Sequence, residues 1–251
     1  MQSPTPRGTT LIFGGTGAVG SALARRLRAS GAEVTLAART ESSLVQLALE
    51  IDCQFVVCDA TSSTEVANVV SSAAQHPAGL SGIAHCVGSI LLKSADRTTD
   101  ADWDETIVLN LTSAFYVVRE ATKAMRSSGG SIVLCSSAAA RTGLTNHDAI
   151  AAAKAGVIGL TLAAAASAAN RQIRVNCVAP GLVQSGISSA ITANSTSLAA
   201  STAMHPLGRI GQGDDVAAAI EFLLDPTNSW VTGQVLGVDG GLGTVRPRVT
   251  A

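Results

Sequence analysis

The chain has 251 residues, of which 47% are hydrophobic and only 14% charged, with a formal net charge of −1. This balance supplies no electrostatic attraction for nucleic acid or an anionic membrane surface, so the expected partners are a small molecule and further copies of the chain. The length suits one α/β unit with a large buried core.

The opening MQSPTPRGTT lacks the apolar centre of a signal peptide, and the longest weakly polar run, residues 155–169, reads as too short for a bilayer and carries Thr161 and Ser167. A cytoplasmic protein without membrane spans is expected. From there apolar runs of strand length alternate with helix-length stretches. TLIFG precedes SALARRLRAS, VTLAAR precedes SSLVQLALEI, QFVVCD precedes STEVANVVSSAAQH, and GIAHCVG precedes one long helical stretch over 100–126. SIVLCSS, a helix over 149–169, the strand RVNCVAPG, a helix over 214–224 and a strand near QVLGVDG complete the series. Strands apolar on both faces in β-α alternation predict a doubly wound parallel sheet between helix layers, an α/β fold in a single domain over 1–251. The polar stretch 183–202 is read as a substrate lid, with a plain loop as the alternative. The cysteines, Cys53, Cys58, Cys86, Cys135 and Cys177, are odd in number, form no CxxC pair and have no clustered histidines; buried reduced thiols and no metal site are expected.

FGGTGAVGSALARRL places Gly14, Gly17 and Gly20 between the first strand and the first helix. Small residues let the backbone turn tightly and approach a pyrophosphate, which the free N–H groups and dipole of the helix end then meet. Thr16, Gly17, Ala18, Val19 and Gly20 are therefore read as the phosphate cradle of a Rossmann fold. At the end of the second strand, where a carboxylate would bind an unmodified ribose, stand Ala38 and Arg39. A guanidinium pairs with a 2′-phosphate that a carboxylate would repel, so NADP(H) is preferred over NAD(H), unless Arg39 is an ordinary solvated side chain. Asp59, after the third strand, is placed at the adenine edge.

With these motifs the chain resembles the short-chain dehydrogenase/reductase family, from about residue 9 to 243. HCVG at 85–88 stands where the family has Asn-Asn-Ala-Gly, Asn110 lies in LNLTSAF, and VAPGLVQS at 178–185 resembles the Pro-Gly segment beside the nicotinamide. The resemblance adds Gly88, Pro180, Gly181, Val183 and Ser185 to the cofactor contacts. It also implies catalytic roles for Asn110, Ser137 and Lys154, with Lys154 holding the nicotinamide ribose. The family's fourth side chain is a tyrosine, and spacing from Ser137 and to Lys154 puts Ile150 in its place. The sole tyrosine, Tyr116, is expected to pack. Pairing of the long helices across a two-fold axis in the family implies a homotetramer or homodimer.

Carbonyl reduction needs a positioned acid on the oxygen, and isoleucine supplies none. His147 precedes Ile150 by three residues and Lys154 by seven, which puts the three near one helix face and makes His147 a candidate acid. TNHD also reads as a helix start with Asn146 as cap, where a protonated imidazole is disfavoured, so His147 as a capping-region or substrate-binding group stays open. Lys154, directly or through water, is the other candidate. His76, His85 and His205 read as structural or exposed. Three functions compete: an NADP(H)-dependent carbonyl–alcohol oxidoreductase, a non-catalytic NADP(H)-binding sensor or scaffold, and an isomerase or lyase.

Overall fold

In the computed structural model, which describes residues 8–246, the apolar runs become seven strands. They are β1 (Thr9–Phe13), β2 (Val34–Ala38), β3 (Gln54–Val57), β4 (Leu80–His85), β5 (Gly130–Cys135), β6 (Ile173–Pro180) and β7 (Val235–Val238). All pair in parallel in the order β3-β2-β1-β4-β5-β6-β7. The central strands are apolar on both faces because both are covered. β1 is buried along its whole length, while the edge strand β3 leaves Phe55 and Val57 partly in solvent. The expectations about the leader and the outermost ends of the 1–251 domain concern residues 1–7 and 247–251, which lie outside the described residues.

The helices among the described residues are α1 (Ala18–Ala29), α2 (Glu41–Ile51), α3 (Ser63–Ala74), α4 (Asp100–Ile107), α5 (Ser113–Ala124), α6 (Asp148–Ala168), α7 (Ser189–Thr192), α8 (Ser195–Met204) and α9 (Gly213–Leu224). Leu23 and Leu27 of α1, Leu44 and Leu47 of α2, and Val216 and Ile220 of α9 join Ile12, Leu36 and Val133 in one core layer. The opposite face of the sheet packs Val66 and Val70 of α3, Val117 and Ala121 of α5, and Val157 and Ala164 of α6 onto Leu11, Ile83 and Ile132. The sequence therefore writes a two-layered core around one sheet. Its turning point is the gap between β1 and β4, from which the chain winds outward in both directions.

Three expectations are corrected. The stretch over 100–126, expected as one helix kinked at Asn110, is two α-helices joined by a π-helical turn, Val108–Thr112, centred on Asn110. The helix after TNHD starts with His147 as its flanking residue, because Asn146 takes a left-handed φ of +62° and turns the chain before the helix begins. The apolar stretch read as too short for a bilayer belongs to a helical segment of 24 residues, Asp148–Arg171, long and apolar enough by length and composition to cross one. Here it lies on the sheet, with Ala149, Ala153, Val157, Thr161 and Ala164 buried and Lys154 midway along it. The stretch 183–202 is partly helical, holding α7 and most of α8, with Asn194 capping α8 through a bond from Ser197 N–H (2.9 Å).

Candidate active site

The candidate site lies at the C-terminal ends of β1, β4, β5 and β6, beside the β1/β4 turning point, where open parallel sheets leave a crevice. Gly14 sits at φ +74°, and a Cβ there would stand 2.9 Å from the Cys86 carbonyl, so both conformation and space demand glycine. A Cβ on Gly20 would overlap the Gly14 carbonyl oxygen. α1 opens without a side-chain cap and without an acidic residue in its first turn. Its first backbone bond runs from Ser21 N–H to the Gly17 carbonyl (2.8 Å), so the N–H groups of Ala18, Val19 and Gly20 precede the helical ladder, next to half-buried Thr16. This uncapped positive helix end above a close-packed glycine turn fits a dinucleotide pyrophosphate. Gly20→Ala is expected to weaken dinucleotide binding at least about tenfold and to lower Tm, because the turn must open to admit a methyl group; fluorescence titration and thermal unfolding read both.

Arg39, just past β2, is exposed and makes no hydrogen bond or ion pair among the described residues. Asp59 is half-buried beyond β3, its Oδ1 accepting from Thr61 N–H (2.9 Å) and Thr61 Oγ1 (2.8 Å). The Thr61 backbone bond holds its carboxyl below the usual range, with a smaller contribution from the Arg39 charge. Both groups lie past the ends of neighbouring strands, β2 and β3.

At the end of β4, Gly88 brings the backbone against two of the sequence-predicted residues: a Cβ there would be 2.9 Å from Asn110 Oδ1 and 3.1 Å from Lys154 Nζ. Asn110 is fully buried in the π-turn. Its Nδ2 donates to the Thr106 carbonyl (2.9 Å) and to Ser89 Oγ (3.0 Å), while Oδ1 accepts from Ser89 N–H (3.1 Å). The side chain therefore locks the widened helix to the loop after Gly88. Such π-bulges recur at functional sites because they re-aim a side chain without ending the helix.

Lys154 is held at both ends. Its carbonyl accepts from Ser136 Oγ (2.7 Å) and its Nζ donates to the Cys135 carbonyl (2.9 Å), pinning α6 to the end of β5. Burial lowers its pKa from the ordinary value, and the thiols of Cys135, Cys177 and Cys86 offset part of the shift. Ser137, next along from Ser136, accepts from Ala139 N–H through Oγ (3.1 Å), which leaves its hydroxyl hydrogen free for a ligand oxygen. Ile150, one helical turn before Lys154, is buried with 4% exposure.

The structure argues against His147 as a neutral acid. Its Nδ1 lies 2.8 Å from the Thr145 carbonyl, which can only accept, so the proton belongs on Nδ1 and Nε2 keeps a lone pair. Tyr116 stands apart, partly buried against the core with the Arg119 guanidinium 5.2 Å from its ring centre.

Pro180 ends β6, and Gly181 N–H bonds the Val238 carbonyl (3.1 Å). A Cβ on Gly181 would meet His205 Nε2 at 2.5 Å. His205 accepts from Leu182 N–H (3.1 Å) and donates from Nδ1 to the Ser201 carbonyl (2.6 Å), tying α8 to the Pro-Gly turn. The Val183 carbonyl accepts from Ser188 Oγ (2.6 Å), and Ser185 Oγ lies 3.0 Å from Ser188 Oγ. Ser89, Ser136 and His205 act through partners 18 to 23 residues away, Asn110, Lys154 and Leu182, which spacing does not reveal, while Ser188 acts on the nearby Val183 and Ser185 through the fold of the turn. His85 is neutral as well as buried, its pKa pushed down to about 3 by burial and then by the Lys154 charge. It pairs through Nε2 with Ser113 Oγ (3.0 Å) and leaves Nδ1 without a hydrogen-bond partner.

Residues 15–243 match the family described as Enoyl-(Acyl carrier protein) reductase. The chain is 33% identical over 238 residues to the 3-oxoacyl-[acyl-carrier-protein] reductase FabG of Rickettsia bellii, covering 93% of this chain and 96% of that protein. It superposes with a TM-score of 0.90 and 31% identity on a short-chain type dehydrogenase/reductase from Mycobacterium ulcerans, over 95% of this chain and 90% of that one. On a single-residue variant of actinorhodin polyketide ketoreductase with NADPH the TM-score is 0.89 and the identity 27%, over 97% of this chain and 100% of that one.

Proposed function

The chain belongs to the short-chain dehydrogenase/reductase family, and we propose that it interconverts a carbonyl and an alcohol with NADP(H), using Lys154 and Ser137 where relatives of the family rely on a tyrosine. The observation that carries this reading is the convergence of Lys154 Nζ and Asn110 Oδ1 on Gly88. A buried ammonium with its backbone tied to β5 is a costly arrangement that a plain binding fold does not require. The related ketoreductase with NADPH and the FabG relative support the cofactor and the reaction class.

When bound, NADPH supplies the hydride. The phosphates would rest on the N–H groups from Thr16 to Gly20, with Arg39 at a 2′-phosphate, Asp59 at the adenine edge, and Gly88, Pro180, Gly181, Val183 and Ser185 along the nicotinamide half. Lys154 would hold the ribose hydroxyls. Ser137 donates its free hydrogen to the substrate oxygen as negative charge builds there, and Lys154 is the proton source, directly or through one water. Its lowered pKa makes it a better acid than an ordinary lysine. Ile150 forms an apolar wall. The lid segment, with Ile187 exposed and no charged side chain over 183–202, suits an uncharged carbonyl compound.

The same reading places the protein in the cytoplasm as a homotetramer or homodimer. Support for association comes from Trp103, Val108 and Phe115 on the α4–α5 side and Leu162 on α6, all partly exposed. The non-catalytic NADP(H) sensor is favoured by one observation, the buried alkyl group of Ile150. Following reduced-nicotinamide absorbance against ketones, quinones and aldehydes separates the two, since a sensor binds NADPH without oxidising it. Arg39→Ala is expected to weaken NADPH about 10- to 100-fold, the worth of one charge-assisted bond, and to leave NADH unchanged. Equal weakening of both nucleotides would remove the 2′-phosphate assignment.

A further inference from the structure

Cys86 follows the last residue of β4, and Cys135 ends the neighbouring strand β5. The register that sets His85 of β4 opposite Leu134 of β5 puts Cys86 opposite Cys135 one residue on. Both side chains lie on the face packed against α1 and α9, joining the core layer that contains Ile12 and Val178, and both are half-buried. Adjacent strands stand about 4.8 Å apart, inside the Cα separation of about 4.4–6.8 Å that a disulfide spans. The pair lies at the cleft: the Cys86 carbonyl is the group a Cβ on Gly14 would strike, and the Cys135 carbonyl receives Lys154 Nζ.

The five thiols are not alike. Burial pushes Cys53 and Cys58 up to about 11 and Cys177 up to about 12, so these stay protonated and unreactive. Cys135 alone is shifted down, by a hydrogen bond from the Cys86 thiol and then by the Lys154 charge, while Cys86 is shifted up as the thiol that keeps the proton. A thiol of lowered pKa with a second thiol beside it has the makings of an attacking and a resolving cysteine.

We propose that Cys86 and Cys135 are a dithiol modification site in the floor of the cleft, closed to an intrachain disulfide by low-molecular-weight disulfides. The Cys135 thiolate attacks one sulfur of the external disulfide, whose S–S bond breaks and releases one thiol. Cys86, giving up its proton, then attacks Cys135 Sγ and expels the second. Two protein thiols are oxidised and one external disulfide is reduced to two thiols. Because the pair underlies the glycine turn, bound dinucleotide protects it; this part rests on the function proposed above.

The test incubates the full, freshly reduced chain with oxidised glutathione and reads intact mass, free thiols and peptide map. Expected are the loss of two of the five free thiols, a product two hydrogens lighter, and a peptide cross-linked through Cys86 and Cys135. Cys86→Ala removes the resolving thiol and the main cause of the lowered Cys135 pKa, so it should accumulate one glutathione adduct on Cys135, formed more slowly than closure in the wild type. Five thiols still titratable, a cross-link through another cysteine, or an adduct in Cys86→Ala that favours Cys53 would each overturn the proposal. Saturating NADPH is expected to slow closure about tenfold. Nucleotide binding to the reduced chain is measured separately by fluorescence. Unprotected closure with binding intact refutes the shared floor, whereas absent binding fails the functional reading and leaves the cross-link to decide the thiol site.

Discussion

Replacing Ile150 with Tyr is expected to raise NADPH-dependent reduction of a simple ketone by about 10²–10⁴-fold, the range one well-placed general acid supplies. Ile150 lies one turn before Lys154 on α6, and α6 packs against the turn that follows Ser137, so a phenol at this position would lie on the side of the oxygen proposed to bind Ser137. The Lys154 ammonium would favour the phenolate and bring the phenol, about 10 when unperturbed, closer to neutrality. The site is 4% exposed, so the larger ring costs about 1–3 kcal/mol of stability unless it turns into the cleft. Ile150→Phe separates ring from hydroxyl: it carries the same packing change and should show no gain. A Tyr variant no more active than the Phe variant, with NADPH binding and Tm intact, would sink the oxidoreductase reading and favour the sensor.

The sequence carried the architecture because both of its signals are local. Strands buried on two faces read as unbroken apolar runs, and the glycine turn reads as small residues between a strand and a helix. The two helix errors came from backbone events that composition does not encode. The family resemblance implied a kink at Asn110, but not that its side chain would bond the Thr106 carbonyl within a π-turn dividing the run into two helices. Asn146 is a strong cap former, but its left-handed φ passes the flanking position to His147. The clamp by His205 and the pairing of Cys86 with Cys135 depend on chain crossings between distant segments. Spacing could not show them, although the replacement of Asn-Asn-Ala-Gly by HCVG marked the place.

Lys154→Met is expected to cut carbonyl reduction by about 10²–10⁴-fold and to weaken NADPH about tenfold, the worth of one charge-assisted hydrogen bond, while the fold stays as stable or becomes more so. The reason is the sign of the shift. Burial holds the folded-state pKa of Lys154 below its ordinary value of 10.5, so between those values the unfolded chain binds more protons than the folded one. Stability then rises with pH through that window, is fully present above 10.5, and is lost as pH falls through the folded-state value. Methionine fills similar volume without a charge, so the slope should vanish from the variant's denaturation midpoints measured against pH. Catalysis runs the opposite way: Lys154 must carry its proton to deliver it, so the wild-type rate declines as pH rises through the lowered pKa, with an alkaline limb below 10.5. An unchanged rate in Lys154→Met, or a wild-type profile flat to 10.5, would assign the proton to another group. Loss of activity with loss of fold would mean that the bond from Lys154 Nζ to the Cys135 carbonyl, rather than the charge, is what the structure needs.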